Sequence, residues 1–352
     1  MLKMGSTIGI LGGGQLAKML AVAASRIGYK THIFDPNPES PAFEIAYHKT
    51  IASFNDNELL KKFAETSDVV TYEFENIPKS SLDTIEKFAK IYPSKNALWI
   101  TQDRILEKRL FTELKLNTVK FASINSYQDF VVEIAKVKTP AILKTCRGGY
   151  DGKGQLLISK NTKKSDVENH LLYGPCILES FVNFNTELSV IIARNEYGDV
   201  ASFDPGDNVH KSGVLRSTTV PSQTSKRVQL ESIILAGKII NDLKYVGVLG
   251  VELFLDIEGK IIVNEIAPRV HNSGHWTQNG CVIDQFEQHI RAISGHRLGN
   301  GERHSNVKMV NILGTDIDSA FKNVDAAVHL YGKKEVRAGR KMGHINYVSK
   351  RS

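Results

Sequence analysis

The chain has 352 residues, with 45 Lys and Arg against 38 Asp and Glu and a formal net charge of +7. That length accommodates two or three domains with a sizeable core, and the small basic excess suits anionic small molecules without forming a nucleic-acid-sized stripe. No apolar run reaches membrane-spanning length and no n-region with a cleavage site precedes the first strand, so the expectation is a cytoplasmic protein with no membrane or nucleic-acid partner. Cys146, Cys176 and Cys281 are odd in number and lack a CxxC pairing, so they read as small buried side chains in a reducing compartment.

In chain order, Thr7–Leu11 reads as a strand, residues 12–28 as a glycine turn and helix, and Lys30–Asp35 as a second strand. Gly12, Gly14 and Ala17 fit G-x-G-x-x-G/A, and Asp35 ends the second strand about twenty residues on. Such a turn needs glycines that let the backbone approach a phosphate and a helix N-terminus that favours an anion. A ribonucleotide phosphate satisfies it as well as NAD. Further βα units follow: a strand at 50–52, a helix over Asn57–Glu65 and a buried strand at 68–72 that leads into Glu73 and Glu75. Ligands in such sheets gather beyond the strands' carboxyl ends, which places Glu73 where a ribose could be held; Glu75 reads equally as a surface residue.

Residues 94–114 form one helix-like stretch. Strand–turn–strand patterns begin after Asn117. Residues 140–145 make an apolar strand carrying Lys144, followed by RGGYDGKGQ (147–155) and another strand at 156–159. The glycines describe a hairpin tip able to close over phosphates, or an ordinary glycine-rich turn. Lys144 inside an apolar strand calls for an anionic partner, because an unpaired buried ammonium is costly. Strands at 176–182 and 188–194 bracket Glu179 and Glu187, and a helix spans 225–243.

Residues 248–256 and 260–265 alternate apolar and polar side chains and meet at Glu258-Gly259, a β-hairpin signal. With the turn centred there, Glu252 falls opposite Glu265. Facing like charges repel unless something positive lies between them, and carboxylate oxygens suit Mg²⁺ or Mn²⁺. A solvated hairpin with two acids on its wet face is the plainer alternative. Arg269, His271, Asn272 and His275 follow at once in a polar loop. Beyond a helix at 283–294 and a strand at 307–313, the tail over 329–348 is rich in Lys and Arg and broken by glycines. It reads either as a solvated basic turn or as a phosphate clamp.

Taken in order, GGGQL, VVTYEFENIP, TQDRILEK, GGYDGKGQ, ELSVI, VNEIAPRVHNSGHWTQNG and GRKMGHIN closely resemble N5-carboxyaminoimidazole ribonucleotide synthetase, a purine-biosynthesis family of the ATP-grasp superfamily. The likeness runs from about Thr7 to Asn346. It implies an α/β ATP-grasp fold: a Rossmann-like N-terminal parallel-sheet domain (1–105), a glycine-flap lid (106–182) and a C-terminal catalytic domain (183–352). It also implies ATP-dependent carboxylation of 5-aminoimidazole ribonucleotide by bicarbonate through carboxyphosphate, in a homodimer.

Roles follow by motif. The resemblance gives the ATP phosphates to Arg104, Lys144, Gly149, Tyr150, Asp151, Gly152, Lys153, Gly154 and Gln155. It gives the adenine to Glu179, Ser180, Phe181 and Val182, and the ribose to Glu187 with His210 beside it. Glu252 and Glu265 would bind Mg²⁺, or Mn²⁺, with Asn264 adjacent. Gln15, Leu16, Glu73, Tyr150, Asp151, His210, Asn272, Lys333, Arg340 and Lys341 fall on the ribonucleotide side, and Arg269, His271 and Lys341 around bicarbonate and carboxyphosphate. His271 is the candidate to take the proton lost by the amine. Ala17 and Lys18 stand where the family usually has Gly and Arg, and the family usually continues with a helical stretch after GHIN. Two other readings stay open: a formate-dependent glycinamide ribonucleotide transformylase of the same superfamily, and an NAD-linked oxidoreductase built on Gly12, Gly14, Ala17 and Asp35.

Overall fold

The computed structural model describes residues 1–149, 154–322 and 324–351. The first sheet is parallel and has the order β3-β2-β1-β4. It comprises β1 (Thr7–Leu11), β2 (Lys30–Asp35), β3 (His48–Ile51) and β4 (Val69–Tyr72), crossed by α1 (Gln15–Arg26) and α2 (Asn57–Glu65). β4 is buried along its whole length, as a strand covered on both faces should be. Its carboxyl end delivers Glu73 and Glu75 to the middle of the molecule.

Helices α3 (Lys79–Ile85), α4 (Lys95–Thr101) and α5 (Arg104–Glu113) lead out of this sheet. The single helix expected over 94–114 is therefore two. Asp103 breaks it by capping α5, its carboxylate accepting from the Ile105 N–H at 3.0 Å, the usual job of an aspartate at this position. The break turns Arg104 toward the centre of the molecule.

The second sheet is antiparallel, with order β5-β8-β6-β7. It contains β5 (Phe121–Ile124), β6 (Ala141–Thr145), β7 (Gln155–Ile158) and β8 (Cys176–Ser180), with α6 (Tyr127–Val137) and α7 (Lys164–Leu171) packed on one face around Phe130, Leu143 and Leu178. Its β6–β7 hairpin carries the glycine loop.

The third sheet has nine strands, in the order β14-β13-β9-β11-β12-β15-β17-β16 with β10 on β9. They are β9 (Phe184–Arg194), β10 (Val200–Ser202), β11 (Gly206–Lys211), β12 (Val214–Val220), β13 (Gly247–Asp256), β14 (Ile261–Ala267), β15 (Ser305–Leu313), β16 (Ala327–Leu330) and β17 (Lys341–Lys350). Helices α8 (Lys226–Asp242), α9 (Thr277–Gly280) and α10 (Gln285–Ile293) cover it. The basic tail divides: its two ends pair in β16 and β17, while residues 331–340, with Lys333, Lys334, Arg337 and Arg340, form a largely exposed connecting loop. One apolar core joins α1 and β1 to Val270, Trp276, Phe286 and Ile290, so the first and third sheets share an interior.

The hairpin β13–β14 departs from the simple register. Leu253, Phe254 and Leu255 pair with Val263, Ile262 and Ile261, a register that would set Glu252 opposite Asn264. Asn264 is instead a bulge, one extra residue on β14, and Glu252 pairs with Glu265.

Candidate active site

A cavity of about 610 Å³ opens where the three sheets meet. Its floor is the Glu252/Glu265 pair. The Arg104 guanidinium reaches the Glu265 carboxylate at 2.9 Å and the Gly149 carbonyl at 3.4 Å, tying the floor to the root of the glycine loop. His271 Nε2 lies 3.3 Å from Glu252 Oε1. Burial, and then Glu265, push the Glu252 carboxyl up to about 7. Burial works the same way on Glu265, but Arg104 outweighs it and holds that carboxyl low. Two facing carboxylates, one of them reluctant to ionise, have the donor chemistry of a hard divalent cation's site. Among the described residues no group of three or more His, Cys, Asp and Glu gathers to hold a metal, so phosphate oxygens and water would have to complete the coordination.

Strand β6 and helix α5 supply the cations. Lys144 Nζ donates to Glu179 Oε2 at 2.5 Å, and Lys108 Nζ stands 3.5 Å from Oε1 of the same carboxylate. All three side chains are buried. Glu179, expected against an adenine, is thus engaged as the counter-ion of two lysines; burial opposes its charge, but Lys108 and Lys144 prevail and keep it ionised. Ser180, Phe181 and Val182 line the same wall, as do Gly149 and Gln155. Gly154 is not on the wall: it closes the β6–β7 hairpin, its carbonyl accepting from the Thr145 N–H. Tyr150, Asp151, Gly152 and Lys153 lie outside the described residues. Glu187 and His210 line the cavity hydrogen-bonded to each other, and Glu187 raises the imidazole against the opposing effect of burial.

On the opposite side, the glycine turn differs from a bare phosphate cradle. The Gly13 N–H donates to Asp35 at 2.7 Å, and the Gly14 N–H to Glu73 at 2.9 Å, with Ala17 N–H at 3.4 Å from the same carboxylate. Glu73 therefore occupies the helix terminus while also lining the cavity. The N–H groups of Gln15 and Leu16 have no partner among the described residues, and both residues line the cavity. Arg269 pairs with Glu75 at 2.5 Å. Asn272 exchanges two amide hydrogen bonds with Asn311, at 3.0 and 2.7 Å. Lys341 lines the cavity; Lys333 and Arg340 do not, Lys333 donating to the Lys341 carbonyl and Arg340 to the Glu335 carbonyl.

Comparison with known proteins decides the family. The ATP-grasp domain model matches residues 109–286, a ribonucleotide synthetase preATP-grasp domain matches 4–102, and a phosphoribosylaminoimidazole carboxylase C-terminal domain matches 308–352. N5-carboxyaminoimidazole ribonucleotide synthase from Brucella melitensis is 44% identical over all of this chain and 98% of its own length. The chain belongs to the N5-carboxyaminoimidazole ribonucleotide synthase family. The Bacillus subtilis member is 40% identical, over 98% of this chain and 92% of its own. The Staphylococcus aureus enzyme solved with ADP superposes with a TM-score of 0.95 at 35% identity, covering 99% of this chain and 94% of its own. The Aspergillus clavatus enzyme solved with ADP and 5-aminoimidazole ribonucleotide gives 0.90 at 28%, covering 98% and 94%.

Four residues that line or support the site carry no firm role from sequence alone. Lys108 follows Ile105 by three and precedes Phe111 by three on the buried stripe of α5, and a charge at an apolar helical position was the available signal. Glu75 reads from sequence as site or surface alike; in the fold it pairs with Arg269 and lines the cavity. Asn311 and Gln285 stand behind the loop that follows β14, where no spacing rule marked them.

Proposed function

We propose that the chain carboxylates 5-aminoimidazole ribonucleotide on its exocyclic amine, using ATP and bicarbonate and releasing ADP and phosphate. The observation that carries this is the convergence, in one cavity, of buried lid cations, a facing dicarboxylate and the Arg269–Asn272 loop. A relative solved with both ADP and 5-aminoimidazole ribonucleotide supports the same pairing of ligands.

Bicarbonate oxygen attacks the γ-phosphorus, ADP leaves, and carboxyphosphate results. Its C–O bond to phosphate then breaks, and the amine nitrogen adds to the freed CO₂ and loses a proton. Catalysis of the first step is positioning and charge compensation rather than covalent work by the protein. Lys144 and Arg104 are placed to neutralise phosphate charge, and Glu252 and Glu265 would hold Mg²⁺ or Mn²⁺, which supplies further compensation at the phosphates when bound. Arg269, fixed by Glu75, and Lys341 would hold the bicarbonate. His271 is kept neutral by burial and then by Arg269, the state that accepts a proton from the amine. Carboxyphosphate is water-sensitive, so turnover would require water to be excluded from the cavity. Three buried free thiols suit a reducing cytoplasm, and the family resemblance points to a homodimer.

Bicarbonate-dependent ADP release, measured with and without 5-aminoimidazole ribonucleotide, tests the reading. Stimulation by glycinamide ribonucleotide and formate in its place would overturn it.

A further inference from the structure

The His271 loop is held from behind by a side chain that never reaches the cavity. Gln285, in the first turn of α10, is fully buried. Its Oε1 accepts from the His271 N–H at 2.9 Å and its Nε2 donates to the His271 carbonyl at 2.8 Å. A side-chain amide thus pairs with both polar groups of one residue's backbone, as a neighbouring strand would. The amide's orientation follows from its partners, because an N–H can only donate and a carbonyl can only accept.

Nε2 also donates to His275 Nδ1 at 3.0 Å, so that imidazole carries its proton on Nε2. Gln285 therefore holds the loop at two residues four apart, on either side of Asn272. The loop has been shaped to admit it: a Cβ on Gly274 would lie 2.6 Å from Gln285 Oε1. On the cavity side, His271 Nδ1 is bonded to the Ser273 hydroxyl at 2.8 Å, and the side chain packs on Gly250, where an added Cβ would come within 2.8 Å of the His271 Cβ and 2.9 Å of its Cγ. The imidazole is thus fixed at Nδ1 and against Gly250, with Nε2 at 3.3 Å from Glu252.

We propose that Gln285 is a positioning residue, which fixes the backbone of His271 so that its imidazole stands against Glu252 at the point where carboxyphosphate and amine meet. The inference rests on the carboxylation reading given above. Removing the amide leaves a buried N–H and C=O unsatisfied, which the loop would relieve by moving. A displacement of about 1 Å at reacting groups costs on the order of 100-fold in rate. The ATP side belongs to the lid and to Glu265, so nucleotide binding should be spared.

The test uses the full chain with Gln285→Met, which keeps volume and loses all three hydrogen bonds, Gln285→Glu, which keeps the acceptor for the His271 N–H, and Gly274→Ala, which displaces the amide from the loop side. Expected are a fall in carboxylation kcat of about 100-fold for Gln285→Met, a smaller fall for Gln285→Glu, and a KM for ATP within about twofold of the unsubstituted chain. ADP released per carboxylated product should rise, and Gly274→Ala should copy the Met variant. Variants with unaltered kcat and coupling overturn the inference alone. So does a parallel loss of kcat, ATP affinity and Tm in which Glu is no better than Met. If the unsubstituted chain shows no ribonucleotide-dependent turnover, the carboxylation reading falls and takes the inference with it.

Discussion

Glu252 faces Glu265 across β13 and β14 because Asn264 is a bulge. Were Asn264 paired regularly, the register nearer the turn would set Glu252 opposite an amide. The bulge also turns the Asn264 carbonyl to Lys108 Nζ, so one irregularity pairs the two carboxylates and anchors the α5 lysine to the floor beneath them. Bulges recur beside active sites for this reason: they re-aim side chains that a regular ladder would point elsewhere.

Replacing either carboxylate should separate stability from catalysis. Glu252→Gln removes a facing like charge and should raise the metal-free stability by roughly 1 kcal/mol, read as a higher urea midpoint. The same variant should lower kcat by about 10²-fold or more, as removal of one charge-stabilising group commonly does, and raise the half-saturating Mg²⁺ concentration. Glu265→Gln should share the catalytic loss but not the stabilisation, because Arg104 loses its partner at 2.9 Å. An unchanged Mg²⁺ response in both variants would remove the metal role.

Glu179 should behave as a counter-ion. Glu179→Gln leaves Lys108 and Lys144 buried together without their carboxylate, and breaking a buried ion pair from one side costs about 3–5 kcal/mol. ATP brings negative charge of its own to this wall. The variant's Tm should therefore fall sharply and recover more on adding ATP than that of the unsubstituted chain. Equal ATP-induced shifts would contradict this role.

What the sequence made legible was whatever local chemistry determines. The hairpin signal placed Glu252 against Glu265, although the pairing nearest the turn is offset by one residue and the bulge compensates; no periodicity rule announces a bulge. Lys144 is conspicuous because an ammonium in an apolar strand demands an anion, and the anion within the chain is Glu179. The glycine turn was readable as an anion cradle. That Asp35 and Glu73 fill part of it depends on where β2 and β4 end relative to α1, which is a three-dimensional fact. Gln285 and Asn311 were illegible for the same reason: each acts on the loop after β14 from a distant element, through hydrogen bonds that leave no local pattern.

The root of the glycine loop is pinned to the first domain. The Arg147 guanidinium stacks 4.1 Å from the Trp99 ring centre and its Nε lies 3.2 Å from Asp103, while the Arg104 N–H donates to the Cys146 carbonyl. Trp99→Leu removes a cation–π contact worth about 0.5–1 kcal/mol at an exposed site. If lid placement depends on it, KM for ATP should rise about two- to fivefold, with Trp99→Phe in between. Steady-state ADP release at varied ATP checks this, and an unaltered KM would show that the stack is ornamental to binding.

Acid should loosen the junction between the first and third sheets through His289. The residue is fully buried between Thr71 of β4 and the start of β13: Nε2 lies 2.9 Å from the Thr71 hydroxyl and Nδ1 accepts from the Val248 N–H at 3.1 Å. Burial lowers its imidazole to about 3, whereas an unfolded histidine takes its proton near 6.5. Between those values the unfolded chain binds the extra proton, so stability is full above about 6.5 and declines as pH falls toward 3. From pH 7 to 5 this one group should account for about 2 kcal/mol of lost stability. His289→Gln can donate to Thr71 and accept from Val248 without titrating. Urea unfolding at the two pH values should show a drop smaller by about that amount in the variant, whatever its stability at pH 7. Identical drops would mean that His289 is not the acid-sensitive contact.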